Sequence, residues 1–191
     1  MKEKIYSILM SDNVVNSIND NFNYLLEIIP ELKDIVSFNQ RHPHHHLDLL
    51  NHTLFALSIS PKDFDVRLTL LLHDIGKPHS YQDGEIRHFK GHALVSSLIS
   101  FDILKRLDFD SHEILKICYL VKEHDIPITE EEIINNNELA RLKFKVQVCD
   151  ALAHNPLKLE KRIKYLEEIN KLINDDLEQE EYKKLILRFK K

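Results

Sequence analysis

Apolar residues recur every three or four positions along nearly the whole chain. In NVVNSINDNFNYLLEIIP, the residues Val14, Ile18, Phe22, Leu25 and Ile28 share one stripe until Pro30 ends it, the period of one amphipathic α-helix. The same spacing predicts helices over roughly 47–59, 63–75, 90–107, 111–124, 137–154 and 156–174, with a charged piece near 178–189. Start and stop signals agree: Pro61 and Asp63 precede the second of these, Gly76-Lys77-Pro78 follow it, and Asp110-Ser111 open the fourth. The stretch SYQDGEIRHFKG (80–91) breaks the pattern, and its Asp-Gly step fits a loop or a short hairpin. No internal repeat, low-complexity tract or linker divides the chain. The expectation is one all-α helical bundle over residues 41–175, with residues 1–40 as an N-terminal helical extension and 176–191 as a C-terminal helix packed on the same domain.

Composition narrows the function. With 191 residues, 43% apolar content, 30% charged and a net charge of −5, the chain reads as an ordinary globular protein able to bury a core. Its three glycines, Gly76, Gly84 and Gly91, make neither a dinucleotide fingerprint nor a phosphate-cradling P-loop. Cys118 and Cys149 both sit in apolar contexts, as reduced core thiols of a cytosolic protein do. The opening MKEKIYSILMSDN lacks a secretory h-region and no run approaches a membrane span, so a soluble, cytoplasmic protein with no membrane partner is expected. The anomaly is the set of twelve histidines.

Some of those histidines fall on inward helical faces. In DVRLTLLLHDIGKP, His73 and Asp74 emerge from the stripe of Val66 and Leu70, where a carboxylate is costly unless paired or metal-bound. His52 lies a turn from Leu49 and Ala56, His92 precedes Val95 and Ile99, His124 follows Ile117 and Val121, and Asp150 follows VQVC. Singly, each histidine reads as a satisfied core residue. Jointly, His52, His73, Asp74 and Asp150 make a two-histidine, two-carboxylate set, and His92 and His124 can complete a second site with Asp74 bridging. Imidazole and carboxylate without thiolate suit a divalent transition metal, Fe, Mn, Ni, Co or Zn, as one ion or two.

The order H…HD…H…H…D, realised as His52, His73-Asp74, His92, His124 and Asp150, resembles the HD superfamily of metal-dependent phosphohydrolases. More narrowly, FNQRHPHHHLDLLNHTLFAL, RLTLLLHDIGKP, HFKGH, LVKEHD and LKFKVQVCDALAHNP are similar to the HD region of bacterial CCA-adding tRNA nucleotidyltransferases and poly(A) polymerases. No segment corresponds to the nucleotidyltransferase head of those enzymes, so the resemblance implies an HD domain alone and not nucleotide addition. The tract before Asp150 is also less basic than relatives often have there. What the resemblance implies is a phosphomonoesterase or phosphodiesterase acting on a phosphorylated nucleotide or RNA end, with tRNA as a further partner to consider. Asp74, Lys77, His92 and His124 are then the catalytic candidates, and the ions lower the pKa of water. With one metal, His92 and His124 would instead bind phosphate or shuttle a proton. The competing reading is an RNA-binding or nucleotide-sensing module without catalysis.

Other residues stay open at this level. Lys77 either neutralises a substrate phosphate or complements a helix C-terminus. Asp125 either orients a ligand or, the favoured reading, stays solvated at a helix end, and His88 reads as a loop residue within reach of the site. The cluster His42, His44, His45 and His46 reads as a solvated loop with one member, such as His45, near the pocket. His79, His112 and His154 read as surface or supporting positions. Lys143, Lys145, Lys158, Lys161, Arg162 and Lys164 form a local basic stretch, the one feature favouring nucleic acid.

Overall fold

The computed structural model describes residues 1–189. Its helices are α1 (Lys2–Leu9), α2 (Val14–Asp20), α3 (Phe22–Ile28), α4 (Leu49–Ser58), α5 (Phe64–Leu72), α6 (His92–Arg106), α7 (Ser111–Lys122), α8 (Glu130–Asn135), α9 (Asn137–Leu152), α10 (Glu160–Ile173) and α11 (Asp176–Leu187), with 3-10 turns at Pro30–Ile35, Lys77–His79 and Pro156–Lys158. The architecture is all-α. Among the described residues, no helix is long and apolar enough to cross a membrane.

Capping residues set most boundaries. Asp48, Asp63, Asp110, Asn136 and Asp175 each accept a backbone N–H in the first turn of the helix that follows, satisfying donors that have no intrahelical partner. Two elements depart from the periodicity. The stripe from Val14 to Ile28 is carried by two helices, because Asn21 ends α2 and its side-chain amide donates to the Ser17 carbonyl at 2.8 Å; such local bonds compete with helix continuation. The short helix α8 was not expected from apolar spacing, since it buries no residue and is held by a Thr129–Glu132 capping box. Residues 80–91 form a loop with a single antiparallel bridge, Gln82 to His88. Its Arg87 lies over the rings of Phe38 and Tyr81 and donates to the Asn39 carbonyl at 2.6 Å, tying the loop to the histidine-rich segment before α4.

At the centre is α9, in which every residue from Val146 to Leu152 is buried. A helix buried on all sides has no polar face to present. Val146 and Cys149 join one apolar core, while Phe144, Val148 and Leu152 join another closed by α10 and α11. Ile5, Ile8, Leu9, Val14, Ile18 and Leu25 belong to the first core, so α1 to α3 pack into the same interior as the helices that follow. Burial pushes the Cys149 thiol up to about 12 and also raises Cys118, in keeping with inert thiols.

Arg67 of α5 fastens α1 to the bundle. Its guanidinium donates to the carbonyls of Leu9 (2.5 Å), Ser11 (2.8 Å) and Pro61 (3.0 Å), and the residue is 5% exposed. Arg67→Met strands buried carbonyls at the end of α1. We expect a loss of about 3 kcal/mol, read as a lower urea midpoint with an unchanged m-value.

A second buried cation, Lys143 of α9, is 1% exposed and donates to Glu132 at 2.7 Å. Burial alone would raise the Glu132 pKa, but the Lys143 ammonium, the Tyr119 hydroxyl and the Thr129 N–H outweigh it and bring it to about 2. The folded carboxyl thus titrates below the unfolded one. Its stabilising contribution is complete above pH 4.5 and drains as pH falls from 4.5 towards 2. Glu132→Gln should cost about 2 kcal/mol at neutral pH, less than a fully buried pair, and flatten that part of an acid-unfolding curve; an unchanged acid limb would refute the assignment.

Candidate metal centre

Six polar side chains from five elements meet where α4, α5, α6, α7 and α9 converge. His52 projects from the middle of α4, His73 and Asp74 follow the last turn of α5, His92 opens α6, His124 follows α7 and Asp150 lies near the end of α9. The turn after α5 can approach α6 because residue 76 is glycine: a Cβ there would lie 2.4 Å from the Ser96 nitrogen. Gly91, at φ +80°, supplies the left-handed residue that starts α6 with His92 facing inward.

A repeated device orients the rings. The Nδ1 of His73 lies 2.8 Å from the Leu70 carbonyl, that of His92 2.9 Å from Phe89, and that of His124 2.7 Å from Val121. His52 Nδ1 lies 3.2 Å from the Ala153 carbonyl. A carbonyl only accepts, so each Nδ1 carries a proton and each Nε2 is left to take a second proton or a metal ion. Those Nε2 atoms are aimed at carboxylate oxygens. His52 Nε2 is 3.0 Å from Asp150 Oδ1, and His73 Nε2 is 3.2 Å from Asp74 Oδ2 and 3.5 Å from Asp150 Oδ1. On the other side of Asp74, His92 Nε2 is 3.2 Å and His124 Nε2 3.8 Å from Oδ1, and the two Nε2 atoms face each other at 3.3 Å.

Nitrogen and oxygen atoms this close need positive charge between them, a proton or a metal ion. His73 Nε2 and Asp74 Oδ1 are buried with no hydrogen-bond partner among the described residues, and Asp74 Oδ2 has the Lys77 ammonium beside it, an arrangement that costs several kcal/mol if left uncompensated. The atoms group as expected for ions: one ligand atom each from His52, His73, Asp74 and Asp150 lie within 4.8 Å of one another, as do those from Asp74, His92 and His124. Burial opposes ionisation of Asp74 and Asp150, yet the imidazoles, with Lys77 beside Asp74, hold both carboxyls well below the usual range. The same carboxylates drive His73 up to about 10 against its own burial. The site therefore demands positive charge at its centre, and nitrogen and oxygen donors without sulfur fit a divalent first-row ion.

Lys77 answers part of that demand. Its helix does not persist, since α5 stops at Leu72 and Lys77 begins the 3-10 turn before Pro78. The buried side chain turns inward, with Nζ 2.7 Å from Asp74 Oδ2, 2.9 Å from Gln40 Oε1 and 5.3 Å from the centre of the Phe89 ring. Of its two sequence readings, the structure favours a side chain aimed at the site over one aimed at a helix end.

A cavity of about 400 Å³ opens above the centre, with Lys77, Lys90 and Arg162 among its lining residues. From the histidine cluster, His42 and His45 reach it, as does His88 from the loop, while His44 and His46 are exposed. His79 is at the surface beside Asp34, and His112 is exposed at the start of α7. His154 is buried, its Nδ1 2.8 Å from the Asp150 carbonyl and its ring against His45. Sequence reasoning missed Gln40 and Arg162 as site residues. Gln40 is an isolated polar residue in irregular chain, so no periodicity marks it, and Arg162 reads as one more cation of an exposed stretch.

The HD domain family model matches residues 45–167, nearly two thirds of the chain and all six converging residues. The chain belongs to the HD domain family. No curated protein matches the sequence.

The arrangement of this HD domain predicts the metal stoichiometry. Titration of chelator-treated protein with Mn or Co should saturate at two equivalents by calorimetry and elemental analysis. His92→Ala should hold one, and Asp74→Asn should lose affinity for both by at least about tenfold. Full retention of two equivalents in Asp74→Asn would show that the ions lie elsewhere.

Proposed function

We propose that this HD domain is a metal-dependent phosphohydrolase acting on a phosphomonoester or phosphodiester of a nucleotide, free or at an RNA end. One observation carries the reading: two groups of ligands, all buried but the half-buried His92, with their rings oriented by backbone carbonyls, share Asp74 at the floor of an open cavity whose walls bear cations. Family membership supports metal-dependent hydrolysis as the general activity. His52, His73, Asp74 and Asp150 would hold one ion, and Asp74, His92 and His124 a second. Such ions, when bound, polarise phosphoryl oxygens and lower the pKa of water.

The chain's own groups do the rest. The Lys77 ammonium, fixed by Gln40 and Phe89, neutralises a phosphoryl oxygen beside Asp74. Arg162, whose Nη1 is 3.5 Å from Asp150 Oδ2, offers a second cation at the rim. His52 and His73, both fully buried, keep water from the far side of the site, so the charges act in a low dielectric.

The non-catalytic RNA module is less well supported by the surface. Of the basic stretch, Lys143 is buried against Glu132, and Lys145 lies 3.6 Å from Asp63. The deciding assay loads chelator-treated protein with Mn, Ni or Co and offers 2′,3′-cyclic nucleotides, nucleoside monophosphates, dinucleoside polyphosphates and tRNA. We expect metal-restored turnover, with Lys77→Met lowering kcat/KM at least about tenfold. Metal-loaded protein that turns over none of these, yet binds tRNA in a salt-sensitive way, would favour the module.

A further inference from the structure

Beside the metal centre the cavity continues into a second lobe of about 260 Å³. The two lobes share His124, Asp125, Asp150 and Arg162. Their chemistry differs. The first is walled largely by imidazoles, carboxylates and cations, whereas Pro127, Ala151, Leu166 and the ring of Tyr165 line the second.

Tyr165 is held in place at its polar end. Its hydroxyl donates to Gln147 Oε1 at 2.9 Å and accepts the Ile128 N–H at 2.7 Å, while Gln147 Nε2 donates to the Ile126 carbonyl at 2.6 Å. The polar groups of both residues are thus used within the protein, leaving a fixed, flat, apolar ring in the wall. At the junction of the lobes stands Arg162, its side chain 43% exposed, and Lys161 and Asp125 are exposed at the outer edge. One end of the cavity suits an anion, the other a planar apolar group, with a guanidinium between. Together the lobes fall within the size range of small-molecule sites.

We propose that the second lobe is the subsite for the nucleoside half of a nucleoside phosphate, the base lying on Tyr165 and Arg162 reaching the phosphate. The inference rests on the phosphohydrolase reading above. Stacking on a rigid ring tolerates any base, because every base has a π-face. The ligand chemistry is therefore a terminal nucleoside phosphate of unspecified base, and its source is either a free nucleotide or an oligonucleotide end.

The test compares nucleoside monophosphates, ribose 5-phosphate and a short phosphorylated oligoribonucleotide as substrates of the Mn-loaded wild type, Tyr165→Phe and Tyr165→Leu. The expected KM for nucleoside monophosphate is about tenfold below that for ribose 5-phosphate. Tyr165→Leu should erase this advantage by raising the nucleotide KM alone, and Tyr165→Phe should keep it. Tyr165-dependent turnover of the oligonucleotide assigns the source to an RNA end; turnover of the mononucleotide alone assigns it to free nucleotide. Equal KM values for the two small esters, insensitive to Tyr165→Leu, overturn the subsite and leave the hydrolase. Should no ester be hydrolysed, the hydrolase reading falls and calorimetric binding of nucleoside monophosphate judges the lobe separately. Binding weakened about tenfold by Tyr165→Leu supports the subsite, and no binding overturns it. If Tyr165→Leu does not fold, competition by a phosphate-free nucleoside against ribose 5-phosphate hydrolysis by the wild type decides, and failure to compete counts against the lobe.

Discussion

Asp74 carries a full negative charge in a place that is 3% exposed, and each of its oxygens faces a different group of imidazoles. A carboxylate in that position is tolerable only if positive charge comes to it. Lys77 brings one ammonium to Oδ2. Nothing comparable reaches Oδ1, where His92 and His124 present their Nε2 atoms to the oxygen and to each other. The packing of five elements around this residue makes sense as a frame for further positive charge on the Oδ1 side. Asp150, in the wholly buried stretch of α9, repeats the problem and shares the same imidazoles.

The rings are oriented by the ends of the helices and not by their interiors. The last carbonyls of a helix lack intrahelical donors, and His73 and His124 take up carbonyls three residues back at the ends of α5 and α7. One hydrogen bond thereby finishes the helix, selects the tautomer and aims Nε2 at the centre. This explains why the site sits at helix termini, and why short irregular segments are needed there: the turn from His73 to Gly76 and the left-handed Gly91 set the approach of α5 to α6. The structural cost of the irregularity is met by side chains such as Arg87, which fastens the 80–91 loop over the segment containing Gln40.

Much of this was legible in the amino-acid order. Apolar periodicity marks the helices from α4 to α7, α9 and α10 because each buries a recurring stripe, and α11 by the narrower one of Tyr182 and Ile186; inward His and Asp residues on the wider stripes marked the converging set. The break at Asn21 was hidden because the stripe continues in register across it, while the side-chain amide that ends α2 acts locally. Helix α8 was hidden for the opposite reason, having caps but no buried face. Lys77 could not be settled because its direction depends on where α5 stops, and Gln40 and Arg162 could not be seen because their roles depend on chain segments distant in sequence. Lys143 illustrates the limit most sharply: it reads as surface charge, yet only the fold buries its ammonium and brings the half-buried Glu132 to it.

The position of α9 links these observations. Its residues divide between the two apolar cores, and its one buried carboxylate belongs to the ligand set, while Gln147 one turn earlier fixes Tyr165 in the neighbouring lobe. Moving this helix would disturb both cores, the Asp150 end of the metal centre and the apolar wall beside it at once. Rigid placement of that kind is what a site needs if phosphate and organic group are to be held in fixed relation, since small displacements of reacting groups are costly in rate. The charge problem at Asp74 and Asp150 and the packing of the bundle are therefore one constraint. The helix whose last turns are wholly buried is also the helix that holds a carboxylate where only a cation can satisfy it.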